Sequence, residues 1–220
     1  MHYPGFFITL EGIEGCGKTT QAKKLNAALQ KLGYPVLLTK EPGGTDLGKE
    51  IRKLLLRCNG LKIGAEAELL LYAADRAQHV REFLVPPLEA GHIVICDRFA
   101  DATVAYQGYA RGLDKNLIAH INQFATQKLQ PDVTILLDLD VRTGLARAQV
   151  RNQQSKPAER EDRFEKEDWR FHEQVRQGYL ASAKGEPERI KIIDAGKPAV
   201  QVFENIMADI MPLLLEKGTK

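Results

Sequence analysis

The chain predicts an α/β fold with a mostly parallel sheet covered by helices on both faces, and three observations carry that prediction. Short apolar runs bounded by turn residues recur at residues 6–10, 36–39, 93–96, 133–137 and 190–193. Stretches with helical periodicity separate them, the pattern of parallel strands joined by crossover helices. The first run leads straight into a glycine-rich octapeptide that opens a helix.

That octapeptide, Gly12-Ile13-Glu14-Gly15-Cys16-Gly17-Lys18-Thr19, fits the phosphate-loop pattern G-x-x-x-x-G-K-[ST]. Glycines let consecutive backbone N–H groups turn inward around a phosphate, and the helix N-terminus that follows adds partial positive charge. Lys18 is placed to reach the β- and γ-phosphates and Thr19 to offer its hydroxyl to Mg²⁺. With Thr20, these residues form the expected ATP-binding set.

Helix one is expected from Lys18 to about Leu32, ended by Gly33, with Ala22, Leu25, Ala28, Leu29 and Leu32 as its inward stripe. A second helix follows Thr45 or Asp46 through Leu47, Ile51, Leu54 and Leu55. The third runs from about Ala65 to Glu89, where Pro86 and Pro87 should bend or interrupt it. Helices are also expected at 115–126, 141–151, 164–183 and 198–215. Residues 152–161 are polar, contain Pro157 and have no apolar period, so a lid is expected over about 151–163. With no internal repeat or composition break, 1–220 reads as a single domain.

The length suits one domain with a substantial core. The formal charge of +2 gives no case for a nucleic-acid surface. Cys16, Cys58 and Cys96 are scattered, which argues against a disulfide framework or a zinc site and fits a reducing compartment. No apolar run reaches spanning length and no targeting segment is evident, so the expectation is a cytoplasmic protein without membrane contact.

Open α/β sheets bind ligands beyond the carboxyl ends of their strands, which singles out Glu11 to Thr19, Glu41 to Gly44, Asp97-Arg98-Phe99 and Asp138 to Asp140. Asp97 is suited to the water shell of Mg²⁺ and Arg98 to bidentate grip on a phosphate. Arg52, Arg76 and Arg98 together exceed what a nucleotide donor needs. They point to an acceptor that is itself a phosphate ester.

The motifs Leu10-Glu11-Gly12, Glu41-Pro42-Gly43-Gly44-Thr45, Ala74-Asp75-Arg76-Ala77-Gln78, Asp97-Arg98-Phe99, Ala105-Tyr106-Gln107-Gly108 and Asp162-Arg163-Phe164-Glu165 resemble bacterial thymidylate kinases essentially end to end. The resemblance implies a P-loop NTPase fold with sheet order 2-3-1-4-5, Mg²⁺- and ATP-dependent phosphorylation of dTMP to dTDP, and a homodimer. It also implies an acceptor site of Glu14, Glu41, Pro42, Arg52, Tyr72, Arg76, Arg98, Thr103, Tyr106 and Gln107. Tyr72 stands where the family usually places a phenylalanine against the thymine ring. Arg76 is expected on a base carbonyl, Gln107 and Thr103 on the base edge, and Tyr106 against the sugar, excluding a 2′-hydroxyl. Glu14 is expected to accept from the 3′-hydroxyl, and Arg52 and Arg98 to hold the acceptor phosphate. A cis bond before Pro42 is suggested by analogy and not decided by sequence.

Phosphoryl transfer asks for positioning and charge neutralisation. The acceptor phosphate has a second pKa of about 6 and is largely ionised at neutral pH, so no strong base is required. Asp97 is therefore cast as an organiser of Mg²⁺ and water. The loop's variable positions hold no arginine, leaving Lys18 as its only cation, so catalytic positive charge is expected from the lid: Arg151 first and Arg160 second, among Arg151, Lys156, Arg160 and Arg163, with Arg147 on the preceding helix. Residues 152–157 depart from the arginine- and glycine-rich lids of the family. A kinase for another nucleotide is the nearest rival. A guanine-nucleotide switch or motor ATPase lacks support, since neither D-x-x-G after the third strand nor N-K-x-D is present. A non-catalytic nucleotide-binding module has no need of the acceptor arginines.

Overall fold

The computed structural model describes residues 3–57, 61–154 and 161–218. Five strands form one parallel sheet: β1 (Phe6–Glu11), β2 (Val36–Lys40), β3 (Ile93–Asp97), β4 (Val133–Asp138) and β5 (Ile190–Asp194), in the order β2-β3-β1-β4-β5. This is the expected order, and β1 lies at its centre between β3 and β4. Every strand runs beyond its apolar stretch to a charged or acidic residue: Glu11, Lys40, Asp97, Asp138 and Asp194. Those residues stand at the carboxyl edge of the sheet.

Both faces of the central strands β1, β3 and β4 are buried, which explains their unbroken apolar runs. Phe6, Ile8 and Leu10 pack with Leu25 and Leu29 of α1 (Lys18–Lys31) and with Ile206 and Ile210 of α9 (Ala199–Glu216). The alternate residues Phe7, Val94 and Cys96 pack with Val80, Leu84, Leu88 and Phe99. Gly33, at φ 91, follows α1 as expected, but Leu32 is exposed rather than part of the stripe.

Helix α2 (Asp46–Leu56) is capped by Thr45, whose side chain accepts from the Gly48 N–H. Ile51 and Leu55 are buried, whereas Leu47 and Leu54 face out. The long third helix is α3 (Ala65–His79), a π-helical turn over Val80–Leu84 and α4 (Val85–Glu89). The wide turn lies just before Pro86 and Pro87, whose rings cannot share the i−4 hydrogen bonds of a regular helix.

Sequence periodicity missed a helical segment, α5 (Ala100–Thr103), which runs into a π-helical stretch over Val104–Ala110. Its residues Thr103, Tyr106 and Gln107 line a cleft rather than forming an amphipathic repeat. Helices α6 (Lys115–Ala125), α7 (Val141–Gln153) and α8 (Trp169–Gly185) complete the layers. Helix α7 runs two residues past its expected end, so residues 151–153 form its last turn. No breaker precedes Gln154, and Arg151 and Asn152 both bond to Glu165.

Candidate active site

The carboxyl ends of β1, β2 and β3 open onto one cleft of about 610 Å³. Its lining includes Glu14, Gly15, Gly17, Lys18, Thr19 and Thr20 from the loop and α1, then Glu41, Pro42, Arg52 and Tyr72. Asp97, Arg98, Thr103, Tyr106, Gln107 and Arg151 close the other side. Residues from six separate stretches of sequence thus share one space, as the carboxyl-edge rule requires.

The loop owes its path to close backbone contact. A Cβ on Gly15, at φ 72, would stand 2.0 Å from the Gly144 carbonyl oxygen, and a Cβ on Gly144 would stand 2.5 Å from the Glu14 carbonyl oxygen. The start of α7 therefore acts as a template for the loop. Lys18 Nζ donates to the carbonyls of Gly12 and Ile13 at 3.0 and 2.8 Å, crossing the loop from inside. Gly12 and Ile13 do not line the cleft; the Ile13 side chain is core, while Cys16 faces a second cavity.

Thr19 Oγ1 donates to Asp97 Oδ2 at 2.6 Å, so the two residues expected at Mg²⁺ lie together. Beside them Arg98 is in the left-handed backbone region at φ 73. Its guanidinium donates to Tyr179 Oη at 2.9 Å, Tyr106 Oη at 3.0 Å and Glu14 Oε1 at 3.1 Å. Burial opposes a charge on Glu14, but nearby His172, Arg98 and Lys18 outweigh it and hold the carboxyl well below its usual range. Behind this layer, Glu11 accepts from the Phe99 N–H and from Tyr179. Burial, aided by the charge of Asp101, pushes Glu11 up to about 7.

On the opposite wall the Glu41–Pro42 peptide is cis. Asp75 accepts from the Gly43 N–H at 3.0 Å and secures that turn. Arg52 donates from Nε to Glu161 at 2.8 Å and from Nη1 to the Pro42 carbonyl at 2.8 Å. Lys40 lies close by, and burial together with the Arg52 charge lowers its pKa.

Arg76 is placed differently from the other arginines. It is buried and does not line the cleft. Its guanidinium donates to Glu41 (2.9 Å), Thr103 (2.9 Å), Asn122 (2.8 Å) and the Phe99 carbonyl (3.1 Å). Its partners in this network thus come from the end of β2, α5 and α6 rather than from its own helix. His79, between Glu41 and Thr39, belongs to the same network and is structural.

Arg151 lines the cleft and pairs with Glu165 at 2.6 Å. Arg160 lies outside the described residues. Asp138 pairs with Arg176 through both oxygens and Asp140 caps α7, so this strand end positions helices. Among the described residues there is no cluster of three or more His, Cys, Asp or Glu suited to a metal, and no helix long and apolar enough to cross a membrane.

A second cavity of about 530 Å³ adjoins the loop's outer side, lined by Gly15, Cys16, Gln21, Arg147 and residues 195–199. Sequence reasoning missed its far wall. The same carboxyl-edge rule, applied to β5, would have found residues 195–199.

A family model described as Thymidylate kinase matches residues 10–206 of this chain. A thymidylate kinase from Geobacter sulfurreducens is 49% identical over 207 residues, 94% of this chain and 96% of that protein. One from Maridesulfovibrio salexigens is 50% identical over 205 residues, 93% and 94% of the two chains. The crystal structure of thymidylate kinase from Ehrlichia chaffeensis matches with a TM-score of 0.76 and 33% identity, covering 94% of this chain and 98% of that one.

Proposed function

The chain belongs to the thymidylate kinase family and phosphorylates dTMP to dTDP with ATP, and we propose that the residues gathered in the main cleft divide this work between a donor side and an acceptor side. The observation that carries the division is that the phosphate loop and the pair Arg52 and Arg98 line one continuous cleft. Two phosphorylated ligands entering from its ends meet at Lys18 and Asp97.

On the donor side, backbone N–H groups of residues 14–20 cradle the ATP phosphates, Lys18 neutralises the β- and γ-phosphates, and the adenine side extends to the cavity lined by Arg147 and residues 195–199. Thr19 and Asp97, two hard oxygen ligands within hydrogen-bond reach of each other, would hold Mg²⁺. When bound, Mg²⁺ supplies charge neutralisation between the β- and γ-phosphates. Asp97 holds that position and takes no proton.

On the acceptor side, Tyr72 offers its ring to the base and Tyr106 packs against the sugar, braced edge-on by Phe164 at 5.3 Å. Glu14, fixed as a carboxylate, accepts from the 3′-hydroxyl. Thr103 and Gln107 meet the base edge, while Arg76, buried behind them, anchors Thr103 and Glu41. Arg52 and Arg98 hold the acceptor phosphate, and Pro42 shapes the turn beside Arg52. Arg151 reaches the transferred phosphoryl, with Arg160 as the second candidate.

The functional unit is a homodimer, formed through the face where α3 and α6 pack side by side and leave Leu70, Leu117 and Phe124 exposed. The reaction is assigned to the reducing cytoplasm, which suits the free thiols Cys16 and Cys96.

A coupled assay with Mg-ATP and dTMP, dUMP, CMP, GMP or thymidine as acceptor tests the reading. dTMP is expected to give the highest kcat/KM. A faster reaction with any other acceptor, or hydrolysis of ATP at an acceptor-independent rate, rejects it.

A further inference from the structure

Glu68, on α3, has no exposed surface, and nothing in the reaction above uses it. Its carboxylate nevertheless joins three distant side chains. Gln107 Nε2 donates to Oε1 at 2.7 Å, Arg111 donates from Nε and Nη2 at 3.3 and 3.2 Å, and Arg163 donates to Oε2 at 2.5 Å. The group cannot turn away. Arg111 is itself held by Glu167 at 2.6 Å and lies over the Phe171 ring at 4.6 Å, and Arg163 donates to the Leu55 carbonyl at 3.0 Å.

A carboxylate facing two guanidiniums can only accept. The Gln107 amide satisfies it in one orientation, nitrogen toward Glu68, and its oxygen takes no hydrogen bond from the described residues. Gln107 lines the cleft, so the atom it presents there is that oxygen. Nearby Thr103 Oγ1 accepts from Arg76 at 2.9 Å, which leaves the Thr103 proton to donate. The wall thus offers one acceptor and one donor in fixed roles.

We propose that Glu68 is a specificity-determining positioning residue: by holding the Gln107 nitrogen it makes the cleft-facing atom an obligate acceptor. Such an atom pairs with a ring N–H flanked by carbonyls, as in thymine and uracil, and rejects the lone pair that cytosine carries at the same ring position. A glutamine free to turn would serve either base. The inference rests on the proposed dTMP reading of the cleft.

The test compares kcat/KM for dTMP, dUMP and dCMP in the wild type, in Glu68→Gln and in the swapped double variant Glu68→Gln with Gln107→Glu. In Glu68→Gln the amide can turn, and the dTMP-to-dCMP ratio is expected to fall about tenfold or more. The dTMP-to-dUMP ratio should stay within about twofold, because those bases share the same edge. The swap conserves the cluster's charge, restores an acceptor-only group at the cleft, and should restore the preference for dTMP over dCMP. Proportional loss on all three acceptors in Glu68→Gln would make Glu68 merely structural and overturn the proposal. If Glu68→Gln does not fold, the wild type is titrated with dTMP while the Gln107 side-chain N–H resonances, assigned by their loss in Gln107→Met, are followed. They should hold their positions; a large shift would place nitrogen on the base and overturn the proposal. A wild type inactive on dTMP would instead overturn the functional reading, and this inference with it.

Discussion

Arg98 combines backbone strain with function. A non-glycine residue in the left-handed region costs on the order of 1–2 kcal/mol, and here it aims the guanidinium back across the strand end to Glu14, Tyr106 and Tyr179. Arg151 has a looser setting on the last turn of α7, with more than half of its side chain exposed. A group that acts on the moving phosphoryl should affect the chemical step alone. Arg151→Ala is therefore expected to lower kcat by roughly 10²- to 10³-fold while the dTMP KM changes only a few-fold, measured by steady-state kinetics. An unchanged kcat removes Arg151 from the site. At this scale the sequence was legible where a motif dictates geometry, as with Lys18, Thr19 and Asp97. It was not legible for Arg76, because which acceptors a buried guanidinium finds depends on Glu41, Thr103 and Asn122, residues remote in sequence.

The elements show where local signals suffice. Apolar runs located all five strands but stopped at the last apolar residue, so the charged strand ends that face the cleft were left outside them. Helix α1 and its glycine stop followed from propensity and φ requirements. The π-helical stretch at 104–110 did not, since its wide turn is held by packing against α8. Contact between α7 and the phosphate loop gives a direct test. Gly144→Ala would push a methyl against the Glu14 carbonyl, backbone against which there is no flexible relief. An overpacking penalty of about 1–3 kcal/mol is expected, seen as a lower Tm, together with a rise of about tenfold in the ATP KM. A variant with wild-type Tm and ATP KM would refute the template role of α7.

For the whole molecule, buried carboxyls set the pH response. Burial first, then neighbouring acids, push Glu11 to about 7 and Asp75 to about 6, and burial likewise lifts Glu165 to about 7. The folded state then holds protons that the unfolded chain releases above its ordinary carboxyl values, so stability falls as pH rises through the window from about 5 to 8. Glu14 works in the opposite sense, its contribution being lost only as pH drops below the ordinary carboxyl range. Tm is expected to decline from pH 5 to pH 8 for the ligand-free protein, and to decline less in Glu11→Gln; a flat or rising profile contradicts this. Assembly is tested by sedimentation, which should give twice the 24.6 kDa chain mass, with Phe124→Glu shifting the species to monomer. Sequence alone determined the strand–helix alternation, the phosphate loop and the set of residues at the strand ends, because these rest on local backbone chemistry and short-range periodicity. Tertiary structure alone decided which of those residues share a cleft, which guanidiniums are held by protein carboxylates, and which way the Gln107 amide faces. Such choices depend on partners far apart in the chain and on the desolvation they meet once the sheet brings them together.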